Sequence, residues 1–596
     1  MATASLDKYQ VRRPAWVLLG TITIGFHLWL VAQGLVPNLV ARPIHMALAI
    51  PWVALYLRGF SLSGAVLTAA GVGACAYIAL NHQVLADQYG MLFGTEQYVV
   101  ALTLLVVTLE LARRAIGWPL PAVALTALLY AFFGEHIPGR FGHAGLPDAS
   151  LLGTLTIAEG GLWGQLTGIS VSVVAVFVIF GAVLNAGEAG EGFMNLAAAA
   201  AGRLRAGAAK VSVLSSALFG SISGSASANV ASTGAVTLPA MRALGYPRAL
   251  AGAVEAVASS GGQIMPPLMG AGAFVMVELT GETYNAIVLA ALPAAILYFF
   301  AVWIGIDAFS TRYPLAGLPP EARPTPRRVA VTSAFFLIPF TVLLFGMFGA
   351  GFTPQYAATA AIVAGAALLL VDATPRLNIP QAAQRLAKAA LVAGEQVAII
   401  ASIILCASIV VGVLGMTGLG VKVTSLIISG SGGLIWPALF LTAFACLILG
   451  MEVPTTAAYV ICVSVAGPAL MDLGLSPLQA HLFVFWYALL STITPPVCGA
   501  VFIAAGMVEE RWLAVAGAAM ALGVGLYLIP LAIVSSPGLL SLGTAPLSAL
   551  LAFTKTGAGL AATSYAVICR KTLVLRFVLG VAGLALIFIR LPTLNG

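Results

Sequence analysis

The side chains best equipped for chemistry in this chain are hydroxyls and amides, gathered at two places inside long apolar stretches. The first place runs through Gly220, Ser221, Ser223, Ser225, Ser227 and Asn229, and continues to Gly261-Gly262-Gln263-Ile264-Met265-Pro266-Pro267. The second runs through Gly450-Met451-Glu452-Val453-Pro454-Thr455-Thr456 and continues to Ser491-Thr492-Ile493-Thr494-Pro495-Pro496. Pro266 follows Gly220 by 46 residues, and Pro495 follows Gly450 by 45. Each copy is a polar break in an apolar segment, then a second break ending in Pro-Pro at the same distance.

A break inside a membrane segment leaves N–H groups at one half-helix start and C=O groups at the other half-helix end. The N–H ends carry partial positive charge and suit a carboxylate, while carbonyl ends and neutral hydroxyls suit a hard monovalent cation. Proline lacks an N–H and blocks the bond to the carbonyl four residues back, so carbonyls around Gly261-Gly262 and Ser491-Thr492 are expected to be free. The substrate-binding set is accordingly Ser223, Ser225, Asn229, Gln263, Thr455 and Thr456. The cation set is Ser221, Ser227, Gly261, Gly262, Pro266, Gly450, Thr492 and Thr494. One Gly/Ser-rich stretch alone would be a helix-packing motif, and one Pro-Pro alone a kink. Two unlike breaks at matched spacing, twice, point to a transporter's site.

Two acids lie in this apolar sequence, Glu255 and Glu452. An ionisable group at membrane depth is a functional candidate, and burial disfavours its charged form. Both are therefore candidates for carrying a coupling proton, although Glu255 also fits a hydrogen-bonded structural acid. The six histidines (His27, His45, His82, His136, His143 and His481) are scattered and read as interfacial or loop residues. No catalytic residue is expected, and no cofactor beyond a coupling ion.

The elements that must position these groups follow from composition. The 596 residues are 61% hydrophobic and only 8% charged, against about 25% charged in soluble domains, and the mean hydropathy is +1.04. A span takes roughly 20 apolar residues, so about 16 to 18 membrane segments are expected, half-spans included. The fold class is an all-α polytopic membrane protein. No polar stretch could make a soluble catalytic domain. The net charge of +7 is spread in small clusters with no basic stripe, which excludes nucleic acid as a partner. The six cysteines sit in apolar runs and read as packing residues.

Along the chain, residues 1–116 hold four apolar runs (14–35, 44–57, 64–80 and 98–115), and 117–150 a linking helix and outer loop. Residues 151–328 form a first repeat, with a hairpin at 211–245 and a broken helix at 249–279. Residues 329–511 form a second, with a hairpin at 434–471 and a broken helix at 482–507. Residues 512–596 make peripheral helices. Lys8, Arg12 and Arg13 precede the first run, so the positive-inside bias places the N-terminus in the cytoplasm. Lys210 and Arg242 flank the first hairpin, whereas residues 431–481 carry no Lys or Arg. The hairpins should therefore enter from opposite faces, as an inverted repeat.

The stretch from Ser221 to Val230, with Ala253 to Pro267, resembles the large membrane subunit of tripartite ATP-independent periplasmic (TRAP) transporters. Pro454-Thr455-Thr456-Ala457-Ala458-Tyr459 and Thr494-Pro495-Pro496 continue the likeness. It is closest to the TAXI branch, in which small and large subunits are fused. Residues 1–116 resemble the four-helix small subunit by position and hydropathy. The resemblance implies an elevator mechanism in the bacterial inner membrane, a separate periplasmic solute-binding protein of TAXI type, an organic acid substrate and a sodium gradient. Glu452 departs from the family's tip, where Gly is expected, and leaves room for a proton. An intramembrane hydrolase and an ion channel are the competing classes. A hydrolase would need a base beside a serine, and a channel would not need twinned hairpins.

Overall fold

A computed structural model describes residues 13–267, 269–371, 377–451 and 454–589. These are helical almost throughout, and the single β-bridge joins Val371 to Leu377. Among the described residues eight helices are long and apolar enough to span a membrane, and Trp512–Leu522 with Val524–Ser535 makes a ninth, bent by 42°. Six further apolar helices of 10–17 residues are too short to cross. They include the second half of each broken helix. The chain divides into two compact units.

The first unit comprises Met1–Glu188 and Phe335–Ser425. Helices Arg13–Gln33, Asn38–Pro51 and Gly94–Ile116 pack on the 39-residue helix Ile379–Thr417. At 1.5 Å per residue that helix is about 58 Å long, well beyond the roughly 30 Å hydrocarbon layer. The core it shares includes Trp52, Leu104, Leu111, Trp163, Ala398 and Leu405, all at or below 5% exposure. The short run expected at 44–57 instead begins at Asn38 and continues through a π turn to Tyr56. Arg42 can sit inside it because its guanidinium donates to Trp163 O and pairs with Glu159 at 3.5 Å.

One expectation for this unit is corrected. His27 and His45 are fully buried, with His27 Nε2 2.8 Å from His45 Nδ1 and His45 Nε2 3.0 Å from Ser170 Oγ. They are interior groups rather than interfacial ones, and the N-terminal region carries more polar chemistry at depth than its hydropathy implies. With Thr23 O on His27 Nδ1, each other, and Ser170, all four ring nitrogens are satisfied out of water.

The second unit comprises Ala189–Ala334 and Leu426–Gly596. Its first hairpin is α1 (Gly207–Ser223) and α2 (Ala226–Ala243), and its first broken helix is α3 (Arg248–Gly261) and α4 (Gly270–Thr280). The span α5 (Tyr284–Phe309) follows. The second hairpin is α6 (Ile435–Leu449) and α7 (Thr455–Asp472), and the second broken helix is α8 (Pro477–Leu490) and α9 (Gly499–Val508). Then come α10 (Trp512–Leu522), α11 (Val524–Ser535), α12 (Pro546–Ile568) and α13 (Leu573–Phe588).

The two repeats interlock. Each broken helix begins against its own hairpin, α3 on α1 and α2, α8 on α6 and α7. After the break it crosses to the other repeat: α4 packs on α7 and α8, while α9 packs on α2 and α3. The basic flanks of the first hairpin are neutralised locally. Lys210 Nζ lies 2.7 Å from Asp307 and over the Trp303 ring, and Arg242 and Arg248 face Glu509 at 3.7 and 3.8 Å. All six cysteines are free and buried, as packing residues would be.

Candidate functional site

The first tip turns at Gly224, whose φ of +61° lies in the left-handed region that only glycine adopts cheaply. Ser225 then caps α2, its hydroxyl accepting from Ala228 N at 3.3 Å. The tip lies directly on the break of its own repeat. A Cβ on Gly220 would overlap the Cα of Gly262, and one on Gly224 would sit 3.2 Å from the Cα of Gly270. The second repeat does the same: a Cβ on Gly450 would meet Ser491 Cβ at 2.8 Å. The 46- and 45-residue spacings therefore measure one packing contact, made twice.

The breaks also meet each other. Ser260 Oγ on α3 lies 2.9 Å from Thr492 Oγ1, just past α8. At the opposite side of the tip, Ser227 Oγ lies 3.8 Å from the Cβ position of Gly499. The N-terminal ends of α2 and α9 thus stand side by side, and Ser227, Pro496 and Gly499 are exposed there despite the apolar surroundings. Two positive helix ends this close together favour an anion beside them.

The expected ligands divide into groups. Gln263 is almost buried, Thr455 and Thr456 begin α7, and among the described residues none of the three side chains has a hydrogen-bond partner. These three remain available. Ser221, Thr492 and Thr494 donate to carbonyls of their own helices, at 2.7, 2.8 and 2.6 Å, and keep lone pairs for a cation. Ser223 reaches Ser225 O at 3.5 Å. Gly261 ends α3 and Pro266 lies beyond the break, where the Pro266–Pro267 and Pro495–Pro496 bonds are both cis. Asn229 is different. Its amide donates to Ser216 O (2.9 Å) and Ser259 O (3.2 Å) with no exposure, so it brackets three helices instead of facing the tip. Gly262 O and Ser491 O were expected to be free. They accept from Met265 N and Thr494 N, because each helix end tightens into a 3-10 turn before its prolines. Glu452 lies outside the described residues.

Glu255 sits at zero exposure among five hydroxyls: Ser212 Oγ at 2.8 Å, Ser259 Oγ at 3.3 Å, Ser216 Oγ at 3.5 Å, and Thr233 and Thr237 closer still. Sequence reading missed these partners. The signal was present as three polar pairs at i, i+4 spacing, Ser212/Ser216, Thr233/Thr237 and Glu255/Ser259, which put one polar stripe on each of α1, α2 and α3. Two further groups were missed. Tyr527, on a helix expected to be peripheral, places its hydroxyl 2.7 Å from Thr494 Oγ1, and Tyr284 donates to Pro267 O. His481, expected at an interface, is buried and lies 2.7 Å from Tyr459 OH.

Helical hairpins and interrupted helices, duplicated and interlocked among apolar spans, define a polytopic all-helical membrane protein of the kind used by secondary transporters. The match to known sequences agrees. Residues 103–547 fit the family model "Tripartite ATP-independent periplasmic transporter, DctM component", and the chain belongs to that family, one of transporters rather than enzymes. It is 25% identical over 328 residues to the C4-dicarboxylate TRAP transporter large permease protein DctM of Pseudomonas aeruginosa, covering 54% of this chain and 74% of that one. It is 29% identical over 225 residues to the protein y4mL of Sinorhizobium fredii, covering 36% and 52%. Over 265 residues it is 24% identical to the ectoine TRAP transporter large permease protein TeaC of Halomonas elongata, covering 44% and 58%. The chain spans about half the length of several of the curated relatives it matches.

Proposed function

We propose that this protein takes up a small organic acid across the bacterial inner membrane, driven by a sodium gradient and supplied by a periplasmic solute-binding protein of TAXI type. The observation that carries this is the paired N-terminal ends of α2 and α9 at Ser227 and Gly499, beside the tied breaks at Ser260 and Thr492. A substrate carboxylate binds at the helix N-termini. Na+ binds where Ser221, Thr492, Thr494 and the carbonyl of Gly261 offer neutral oxygens, with Gly262, Gly450 and Pro266 shaping the backbone. Gln263, Thr455, Thr456, Ser223 and Ser225 complete the substrate side. No Arg lies in either tip, so backbone dipoles and hydroxyls hold the anion.

Both tips and both breaks belong to one compact unit, which supports an elevator in which that unit moves as a body. Residues 1–102 precede the family match and hold the spans Pro14–Gln33, Asn38–Tyr56 and Leu62–Leu80, which supports a fused small subunit. The basic flanks Lys210, Arg242 and Arg248 support a cytoplasmic base for the first hairpin, with the N-terminus on the same side. Reconstituted vesicles test the reading. Uptake of a labelled C4-dicarboxylate or another small organic acid should require both an inward sodium gradient and an added periplasmic solute-binding protein of TAXI type. Flux that persists without either, or hydrolysis of the added compound, overturns it.

A further inference from the structure

Glu255 lies two helical turns, about 10 Å, along α3 from its first residue Arg248, and among the described residues no Lys or Arg pairs with it. The charged and titratable groups on the helices packed against α3 are engaged elsewhere. Lys210 pairs with Asp307, and Arg242 and Arg248 face Glu509. Tyr298 on α5 donates to Val257 O, Tyr284 to Pro267 O, Tyr487 on α8 to Tyr527 O, and His481 bonds Tyr459. Cys498 precedes α9 and Arg511 precedes α10, and neither bonds the carboxyl. Among the described residues, Glu255 therefore hydrogen-bonds with hydroxyls alone.

Those hydroxyls can serve either form of the acid. Thr233 Oγ1 is within reach of both Glu255 and Asn229 O (2.8 Å), and Thr237 Oγ1 of both Glu255 and Thr233 O (3.0 Å). A threonine has one proton to donate. With Glu255 ionised, the threonines point their protons at the carboxylate. With Glu255 protonated, the carboxyl donates to one threonine, which turns its own proton to the backbone carbonyl one turn back. Both arrangements are fully bonded without displacing a heavy atom.

Thr237 also lines a cavity of about 320 Å³ between α1, α2, helix Ala189–Ala201 and the loop before Pro326. This is room enough for several waters. Asn195, Glu321, Arg323 and Arg328 supply polar groups to its wall, and Glu321 and Arg328 are exposed, so the cavity reaches the surface on a charged loop.

We propose that Glu255 is a proton-binding site filled and emptied through Thr237 from this cavity. This deepens the transport reading and rests on it for its role as a coupling site. A proton arriving from the cavity joins Thr237 Oγ1 as Thr237 passes its own proton to Glu255 Oε2; release runs in reverse. Through Thr233 and Asn229, which brackets Ser259 O at the first break, the protonation state of Glu255 is linked to the tip.

The test is infrared spectroscopy of the full-length protein in vesicles during transfer from H2O to D2O. The expected result is a protonated-carboxyl band that Glu255→Gln removes. Thr237→Val should keep the band and slow its deuterium shift roughly tenfold, the kinetic equivalent of one lost hydrogen bond, while Thr237→Ser restores the rate. Ala240→Phe, which fills the cavity without touching the carboxyl network, should slow it too. A band unchanged in Glu255→Gln, or wild-type exchange in both Thr237→Val and Ala240→Phe, overturns the proposal. None of these readouts uses transport, so a failure of sodium-driven uptake would refute the transport reading alone.

Discussion

Gly220→Ala is the sharpest probe of the contact between tip and break. The new methyl meets the Cα of Gly262 on one side and Asn229 Nδ2 at 2.7 Å on the other. Neither can yield easily, since one is backbone and the other is held by two carbonyls. Overpacking of this kind costs about 1–3 kcal/mol, and with rigid neighbours the upper half of that range is expected. Falling on the docking of the tip, about 2–3 kcal/mol is roughly a 30- to 150-fold loss in the population of the assembled site. Melting of the purified protein in sodium and in choline chloride reads this out, because a cation bound to the native state raises its stability by mass action. Gly220→Ala should melt lower and lose the sodium-dependent rise. Gly517→Ala is the control: nothing lies within 4 Å of its Cβ position on α10, and alanine favours a helix over glycine by about 1 kcal/mol. If Gly220→Ala melts like Gly517→Ala and keeps its sodium response, tip and break do not form the site.

Ser225→Ala should cost about 1 kcal/mol as a lost helix cap, whereas Ser225→Gly should cost only a few tenths; if the hydroxyl also touches ligand, both variants lose uptake equally in vesicles. Thr494→Val and Tyr527→Phe should each weaken sodium activation, and their double-mutant cycle should show a coupling of about 0.5–1.5 kcal/mol from the 2.7 Å hydrogen bond; additive effects would detach α11 from the site. Sodium- and binding-protein-dependent uptake, and the deuterium exchange of Glu255, supply the remaining two checks.

Much of the site was legible along the chain because breaks are local events. Gly224, Ser225 and the two Pro-Pro pairs declare themselves by what they forbid or cap, and the hairpin limits followed from where apolar runs give way to Lys210 and Arg242. Partnerships were less legible. Asn229 was expected to face ligand and instead braces α1, α2 and α3. Tyr527 was placed on a peripheral helix and reaches Thr494. His27 and His45, 18 residues apart, gave no hint in hydropathy of the bond they share.

By itself, the sequence determined that this is a membrane protein with two broken hairpin repeats, since hydropathy, proline and glycine act on the nearest turn of chain. The tertiary structure decided how the repeats interlock, that the freed carbonyls of Gly262 and Ser491 are retaken by 3-10 turns, and that five hydroxyls from three helices surround Glu255. Those outcomes depend on side chains up to 43 residues apart in the Glu255 network, and 232 apart for Ser260 and Thr492. Contacts at such separations are set by how helices pack in three dimensions, which no local periodicity encodes.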